Sequence, residues 1–312
     1  MSFMFVSHNT STCYFLTCHH PMTYTLENEQ CRATIQAKGA ELSGFVRKDL
    51  DNLEYIWEAD PAVWGRHAPV LFPIVGRLPN DTYTYQGQDY RLTQHGFARD
   101  QEFTLVRQIP SEVVLELRAN EATRALFPFD FSLVISYRLA GTMLTIGWEV
   151  TNIGTGELLF GIGAHPAFRC PLLPNETFED YEFVFDHPVT FERHLLEGGL
   201  LNGQTEPVLE NETTLPLRYE LFEQDALVLK HFDFTHVTLR SRRSNRTVRV
   251  RFDGFPYLGL WTKGPGARFV CIEPWHGLAS SVGDSGALAD KEGILTLRPG
   301  QEFVASYSIT VD

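Results

Sequence analysis

Nowhere does the sequence hold an unbroken apolar run approaching the ~18 residues that a membrane-crossing helix needs. A bilayer-spanning segment is therefore not expected. Cysteine is scarce and odd in number: Cys13, Cys18, Cys31, Cys170 and Cys271 are scattered, with no CxxC pair and no Cys/His cluster at zinc spacing. This argues against a disulfide framework or a zinc ribbon and for free thiols in a reducing compartment. Positive charge is short as well, with 26 Lys and Arg against 39 Asp and Glu and a formal charge of −13. That balance opposes binding to nucleic acid or to anionic lipid. The first twenty residues lack both a basic n-region and a continuous apolar h-region, so they do not read as a secretory leader. The cytoplasm is the expected compartment.

Sustained helical periodicity is also missing. Glu121 to Leu126 suits one or two helical turns before Pro128, and no segment carries an i, i+3, i+4, i+7 stripe over three turns. Crossover helices, and with them a parallel α/β sheet, are not expected. No linker, low-complexity tract or short-period repeat interrupts the 24 Gly and 17 Pro spread along the chain.

What the chain does have is period-two alternation. Phe131, Leu133, Ile135, Tyr137 and Leu139 interleave with residues of the opposite face, and Leu144, Ile146, Trp148 and Val150 repeat the pattern after Gly141-Thr142. Two half-buried strands joined as a hairpin are predicted. The rhythm returns at Val113/Leu115/Leu117, at Val248/Val250/Phe252 and at Phe303/Ala305/Tyr307/Ile309/Val311. With 312 residues, 43% apolar content and 23 Phe, a large core is affordable in composition, and a single all-β antiparallel sandwich over residues 22–312 is the economical expectation. Residues 1–21 precede the first regular alternation and are expected to be a disordered extension, with Met22 a candidate start.

Four segments place polar residues where the pattern asks for apolar ones. Ala68 to Arg77 is an apolar, proline-punctuated stretch that ends in a guanidinium, and Gly76 permits close approach there. Arg77 is thus expected to project a fork of donors into a cleft, or to pair with a core carboxylate. In Gln94-His95-Gly96-Phe97-Ala98-Arg99-Asp100 a histidine sits at a bend after strand-like Asp89 to Leu92. In Phe160-Gly161-Ile162-Gly163-Ala164-His165-Pro166, small residues surround one imidazole; the third glycine and following helix of a dinucleotide loop are absent. In Phe269-Val270-Cys271-Ile272-Glu273-Pro274-Trp275 an apolar strand delivers a carboxylate whose desolvation would raise its proton affinity, as a general base near neutral pH requires. Each histidine taken singly is equally at home as a satisfied structural residue. Together with Glu273 they suit proton transfer on a polyol.

These motifs, with Trp64-Gly65-Arg66-His67 ahead of the first, resemble the aldose 1-epimerase (galactose mutarotase) superfamily and its LacX-like branch, from Met22 to Asp312. The resemblance implies a galactose mutarotase-like supersandwich and a cofactor-free, metal-free interconversion of the α and β anomers of a free aldose. It implies His165 as general acid and Glu273 as general base, with Arg77, His95 and Asp225 holding sugar hydroxyls. The family's usual Gly-Leu-Ala-Asp reads Gly277-Leu278-Ala279-Ser280 here. Phe97, Trp261 and Trp275 are aromatics available to the sugar's apolar face. The implied partner is a small-molecule sugar, without nucleic acid or membrane, bound by a monomer or homodimer.

Three other readings stay open at this level. A non-catalytic sugar sensor would use the same cleft without proton transfer. A glycoside hydrolase would usually place two carboxylates about the bond, whereas the partner here is histidine. A sugar-phosphate mutarotase would need a cationic subsite, and the one basic run, Arg240 to Arg251, alternates with Val248, Val250 and Phe252 and reads as a solvated sheet face.

Overall fold

The computed structural model describes residues 22–312. The expected disordered extension, with Cys13 and Cys18, lies outside the described residues. The chain builds almost entirely antiparallel sheet. Phe131–Ala140 and Met143–Asn152 pair in one register across Gly141-Thr142, with Ile135 opposite Trp148 and Leu139 opposite Leu144. Their inward residues are buried, as period-two alternation requires. Glu302–Val311 adds to the other side of Met143–Asn152, and Thr247–Arg251 follows it in the sheet. The one α-helix among the described residues, Glu121–Leu126, is closed at its start by Asn120, whose side chain accepts from the Thr123 amide while the Thr123 hydroxyl accepts from the Asn120 amide.

One long sheet runs from Val70–Leu71 through Ile162–Ala164, Phe269–His276 and Tyr257–Trp261 to Leu227–Lys230, and on to Glu112–Arg118 and Thr104–Ile109. Its two halves face each other across a shared core. Phe72 of the first half lies 5.0 Å from Phe131 of the second, ring to ring, and Trp148 lies 5.8 Å from Phe255. A smaller four-stranded sheet, Thr23–Glu27 to Leu53–Glu54, adds its own buried face to the same core. Burying a Val-, Leu- or Phe-sized side chain is worth about 1.5–3 kcal/mol, so this shared aliphatic and aromatic core holds the layers together. The all-β sandwich is thus observed. No helix among the described residues is long and apolar enough to cross a membrane.

The basic run behaves as its alternation indicates. His236–Ser241 and Thr247–Arg251 pair as a hairpin. Arg240 is bound by Glu182, Arg251 by Asp253 and Arg243 by Asp180, away from the pocket described next.

Candidate active site

The strand Phe269–His276 is flanked on one side by Tyr257–Trp261 and on the other by two short strands, Ile162–Ala164 and Ala167–Arg169. Gly163 pairs with Trp275 and Ala167 pairs with Cys271, so the residues midway between, His165 and Glu273, stand directly opposite each other. Pro166, which has no amide hydrogen to donate, breaks the ladder between the two short strands just after the histidine. The result is a contact of 3.3 Å between His165 Nε2 and Glu273 Oε2. Both side chains are buried, His165 at 8% exposure and Glu273 at 1%.

The pair lies in a pocket of about 560 Å³, which also takes in His95, Asp225, Trp261 and Trp275. Small-ligand sites commonly span ~300–1,000 Å³, so a monosaccharide-sized guest fits the range. His165 is boxed by rings: Trp64 stacks on it at 4.9 Å, Trp261 meets it edge-on at 5.5 Å and His95 at 5.6 Å. Trp275 lies flat between neighbouring strands. A Cβ on Gly259 would come within 2.4 Å of its ring and one on Gly163 within 2.6 Å, and its indole N–H donates to Ala164 O at 3.1 Å. Gly163 therefore makes room for this indole. Phe97 lies elsewhere, in the core beside Phe72 and Phe127.

His95 is held from both sides by one glycine. Its amide donates to Gly76 O at 2.9 Å, and its Nδ1 accepts from the Gly76 amide at 3.1 Å. An accepting Nδ1 leaves the proton on Nε2, so His95 is a fixed donor. Gly76 has φ 72° and packs so tightly that a Cβ would lie 2.5 Å from Ala279 Cα. The close approach anticipated from the sequence is real at this position.

Electrostatics follow from burial. Desolvation pushes Glu273 well above the usual carboxylate range, reinforced by the Asp225 charge. Desolvation and the nearby Arg99 cation hold His165 down to about 3, and burial, His165 and Arg99 keep His95 well below its ordinary value. Glu273 is tuned as its sequence context implies. For His165, an imidazolium donor at rest is replaced by a neutral ring, because a buried cation beside Arg99 is costlier than a protonated carboxyl. Both shifts favour the uncharged forms, so a proton shared by the pair is biased toward Glu273 over His165.

Of the five residues picked out in the sequence, His95, His165, Asp225 and Glu273 converge on this pocket. Asp225 sits at the rim with φ 73°, one carboxylate oxygen accepting from the Ala226 amide at 2.8 Å. Arg77 does not line the pocket. The turn at Gly76 directs its guanidinium to Asp81 at 3.1 Å and Gly198 O at 3.3 Å, where it braces the rim beside Gly199. The guanidinium on the pocket wall belongs to Arg99, whose Nε is buried without a partner while its terminal nitrogen donates to Gln94 O at 2.6 Å. Trp64 and Arg99 were missed as site residues. Both lie inside the motifs quoted above, yet neither stands in a strand whose alternation could reveal its direction.

The sequence profile described as Aldose 1-epimerase matches residues 22–310. The chain is 38% identical over 299 residues to "Protein LacX, chromosomal" of Lactococcus lactis subsp. lactis, covering 93% of this chain and 99% of that protein. Among solved structures, a galactose mutarotase related enzyme from Lactobacillus acidophilus superposes with a TM-score of 0.89 at 37% identity, covering 93% of this chain and 97% of that one. A galactose mutarotase-like protein from Lactobacillus casei ATCC 334 gives 0.87 at 31% identity, covering 93% and 100%.

Proposed function

The chain belongs to the aldose 1-epimerase family, and from that premise we propose that it is an isomerase interconverting the α and β anomers of an aldose by general acid and base catalysis. The observation that carries the reading is the buried His165–Glu273 pair, 3.3 Å apart within the pocket.

Substrate binding sets the proton where the reaction needs it. A sugar hydroxyl donating to the Glu273 carboxylate favours its charged form, and a ring oxygen accepting from His165 favours the imidazolium. The proton that Glu273 carries at rest therefore moves to His165 as the sugar enters. Glu273 then takes the proton of the C1 hydroxyl while His165 protonates the ring oxygen, and the C1–O5 bond breaks to give the open aldehyde. Rotation about C1–C2 presents the other carbonyl face. Reclosure returns both protons and leaves the pair as it began. Positioned acid and base groups each supply ~10²–10⁴-fold, ample for a reaction that already proceeds in water.

His95, fixed as an Nε2–H donor, and the free oxygen of Asp225 serve as hydroxyl partners. Trp261 and Trp275 offer apolar surface to the pyranose ring. Arg77 contributes from the rim, by bracing Gly198 and Gly199, rather than by gripping sugar.

The decisive measurement is anomer interconversion by polarimetry or saturation-transfer NMR, wild type beside Glu273→Gln. Acceleration by the wild type and its loss in the variant support the reading. Sugar binding without acceleration would leave a receptor instead. A phosphorylated aldose is a second reading of the substrate, favoured by Arg99 and Lys263 on the pocket wall. Rates on glucose and glucose 6-phosphate compared side by side separate the two.

A further inference from the structure

We propose that His165, Cys271 and Glu273 together bind a thiophilic divalent cation of the zinc class, and that the bound ion shuts the pocket down. Among the described residues these three bring one nitrogen, one sulfur and one oxygen donor within 4.8 Å of each other. Zinc takes such donors tetrahedrally at ~2.0–2.3 Å, which separates neighbouring donor atoms by roughly 3.3–3.8 Å. The 3.3 Å between His165 Nε2 and Glu273 Oε2 already meets that spacing.

The backbone fixes this grouping. Cys271 and Glu273 are two residues apart on one face of the strand Phe269–His276, and His165 is opposite Glu273 in the register set by Gly163–Trp275 and Ala167–Cys271. Cys271 packs in a buried cluster with Trp57 and Phe269, while His165 and Glu273 line the pocket. An ion entering from the pocket meets three protein donors and keeps a fourth position open to water. Binding expels the thiol proton and any proton on the pair, and the ion occupies the lone pairs that move protons to and from a sugar.

The same site explains why the ion is an inhibitor rather than a resident. A metal-bound histidine ordinarily donates its other N–H to an acceptor, and such partners are worth ~10–100-fold in affinity. Here His165 Nδ1 is buried with no partner. Binding is therefore reversible and yields to a chelator.

The test uses the full chain carrying Cys13→Ser and Cys18→Ser, because those thiols, with His19 and His20, supply donors of their own. Cobalt(II) is added and the thiolate-to-cobalt charge-transfer band recorded, then zinc is titrated against a chromophoric chelator. The expected result is one thiolate-bound cobalt per chain, displaced by zinc, with the band lost and zinc affinity down at least ~10-fold in Cys271→Ala. Cys271→Ser, closer in size, repeats the comparison, and thermal melting of each metal-free variant verifies the fold. Absence of the band in the parent chain, or equal zinc affinity with and without the Cys271 thiol, overturns the proposal. These readouts do not depend on sugar turnover, so the metal site and the mutarotase reading stand or fall separately.

Discussion

His165 and Glu273, 108 positions apart in the chain, face each other at 3.3 Å because the flanking backbone pairs Gly163–Trp275 and Ala167–Cys271 set them opposite one another. Truncating either proton-transfer group should abolish turnover without disturbing the sheet. We expect Glu273→Gln and His165→Asn each to lower the mutarotation rate by more than ~10²-fold, with circular dichroism unchanged. Wild-type rates in both variants would remove the assigned roles.

The pH profile follows from the pair's single proton. His165 takes a second proton only near its value of about 3, so the acid limb should fall far below neutrality. Glu273, raised by burial, gives up the last proton only above the ordinary carboxylate range, and the alkaline limb should follow that loss. Between the limbs the one-proton state persists and the rate should be flat. These are properties of the coupled pair rather than of either residue. An acid limb near pH 6.5, the value of an unperturbed histidine, would contradict the neutral resting imidazole.

Stability should move the opposite way from activity. The folded-state affinity of Glu273 for its proton exceeds that in the unfolded chain, whose carboxyl ionises near ~4.3. Its contribution is therefore present below that pH and lost as pH rises through the folded value. Glu273→Gln cannot ionise and should melt higher than the wild type, by a margin that widens as pH rises above ~4.3 and then levels off. Melting curves at several pH values test this directly. A variant that melts lower at neutral pH would show that the charged carboxylate is structurally needed.

Much of this arrangement is legible in the chain itself. The hairpin at Gly141-Thr142, the short helix Glu121–Leu126 and the carboxylate at residue 273 are all local in cause: alternation, a brief helical stretch stopped before Pro128, an apolar strand delivering Glu. Arg77 and Arg99 show where such reasoning stops. Neither stands on a strand: Arg77 follows Gly76 at φ 72° and turns to Asp81, and Arg99 sits in the short 3-10 turn Ala98–Asp100, where its direction depends on the Gln94 carbonyl nearby. No periodicity records that. The resting proton of the His165–Glu273 pair was hidden for a similar reason, since it depends on how far Arg99 and Asp225 stand from two buried groups.

Trp275 gives a test of the pocket wall that leaves every polar group in place. Replacing Gly259 with Ala would put a methyl 2.4 Å from the indole, which has strand on both sides and cannot retreat without losing its bond to Ala164 O. Overpacking of this kind costs about 1–3 kcal/mol. The expected outcome is a lower denaturation midpoint together with a raised KM. An unchanged midpoint would mean that the indole has room to move.

The two arginines provide the sharpest contrast. Arg77 is 44% exposed and bonded to Asp81 on the rim, an ion pair of a class worth ~0–1 kcal/mol, so Arg77→Ala should leave kcat close to wild type and raise KM only through a looser Gly198-Gly199 turn. Arg99 lines the pocket and adds its charge to the burial that lowers the proton affinity of both histidines. Removing that cation relieves His165, so its proton affinity should rise and the acid limb of the rate profile should shift toward neutral pH in Arg99→Gln. Arg77→Ala, whose charge does not act on the imidazole, should leave that limb in place. Equal shifts in both variants would mean that the guanidinium on the wall has no particular hold on the imidazole.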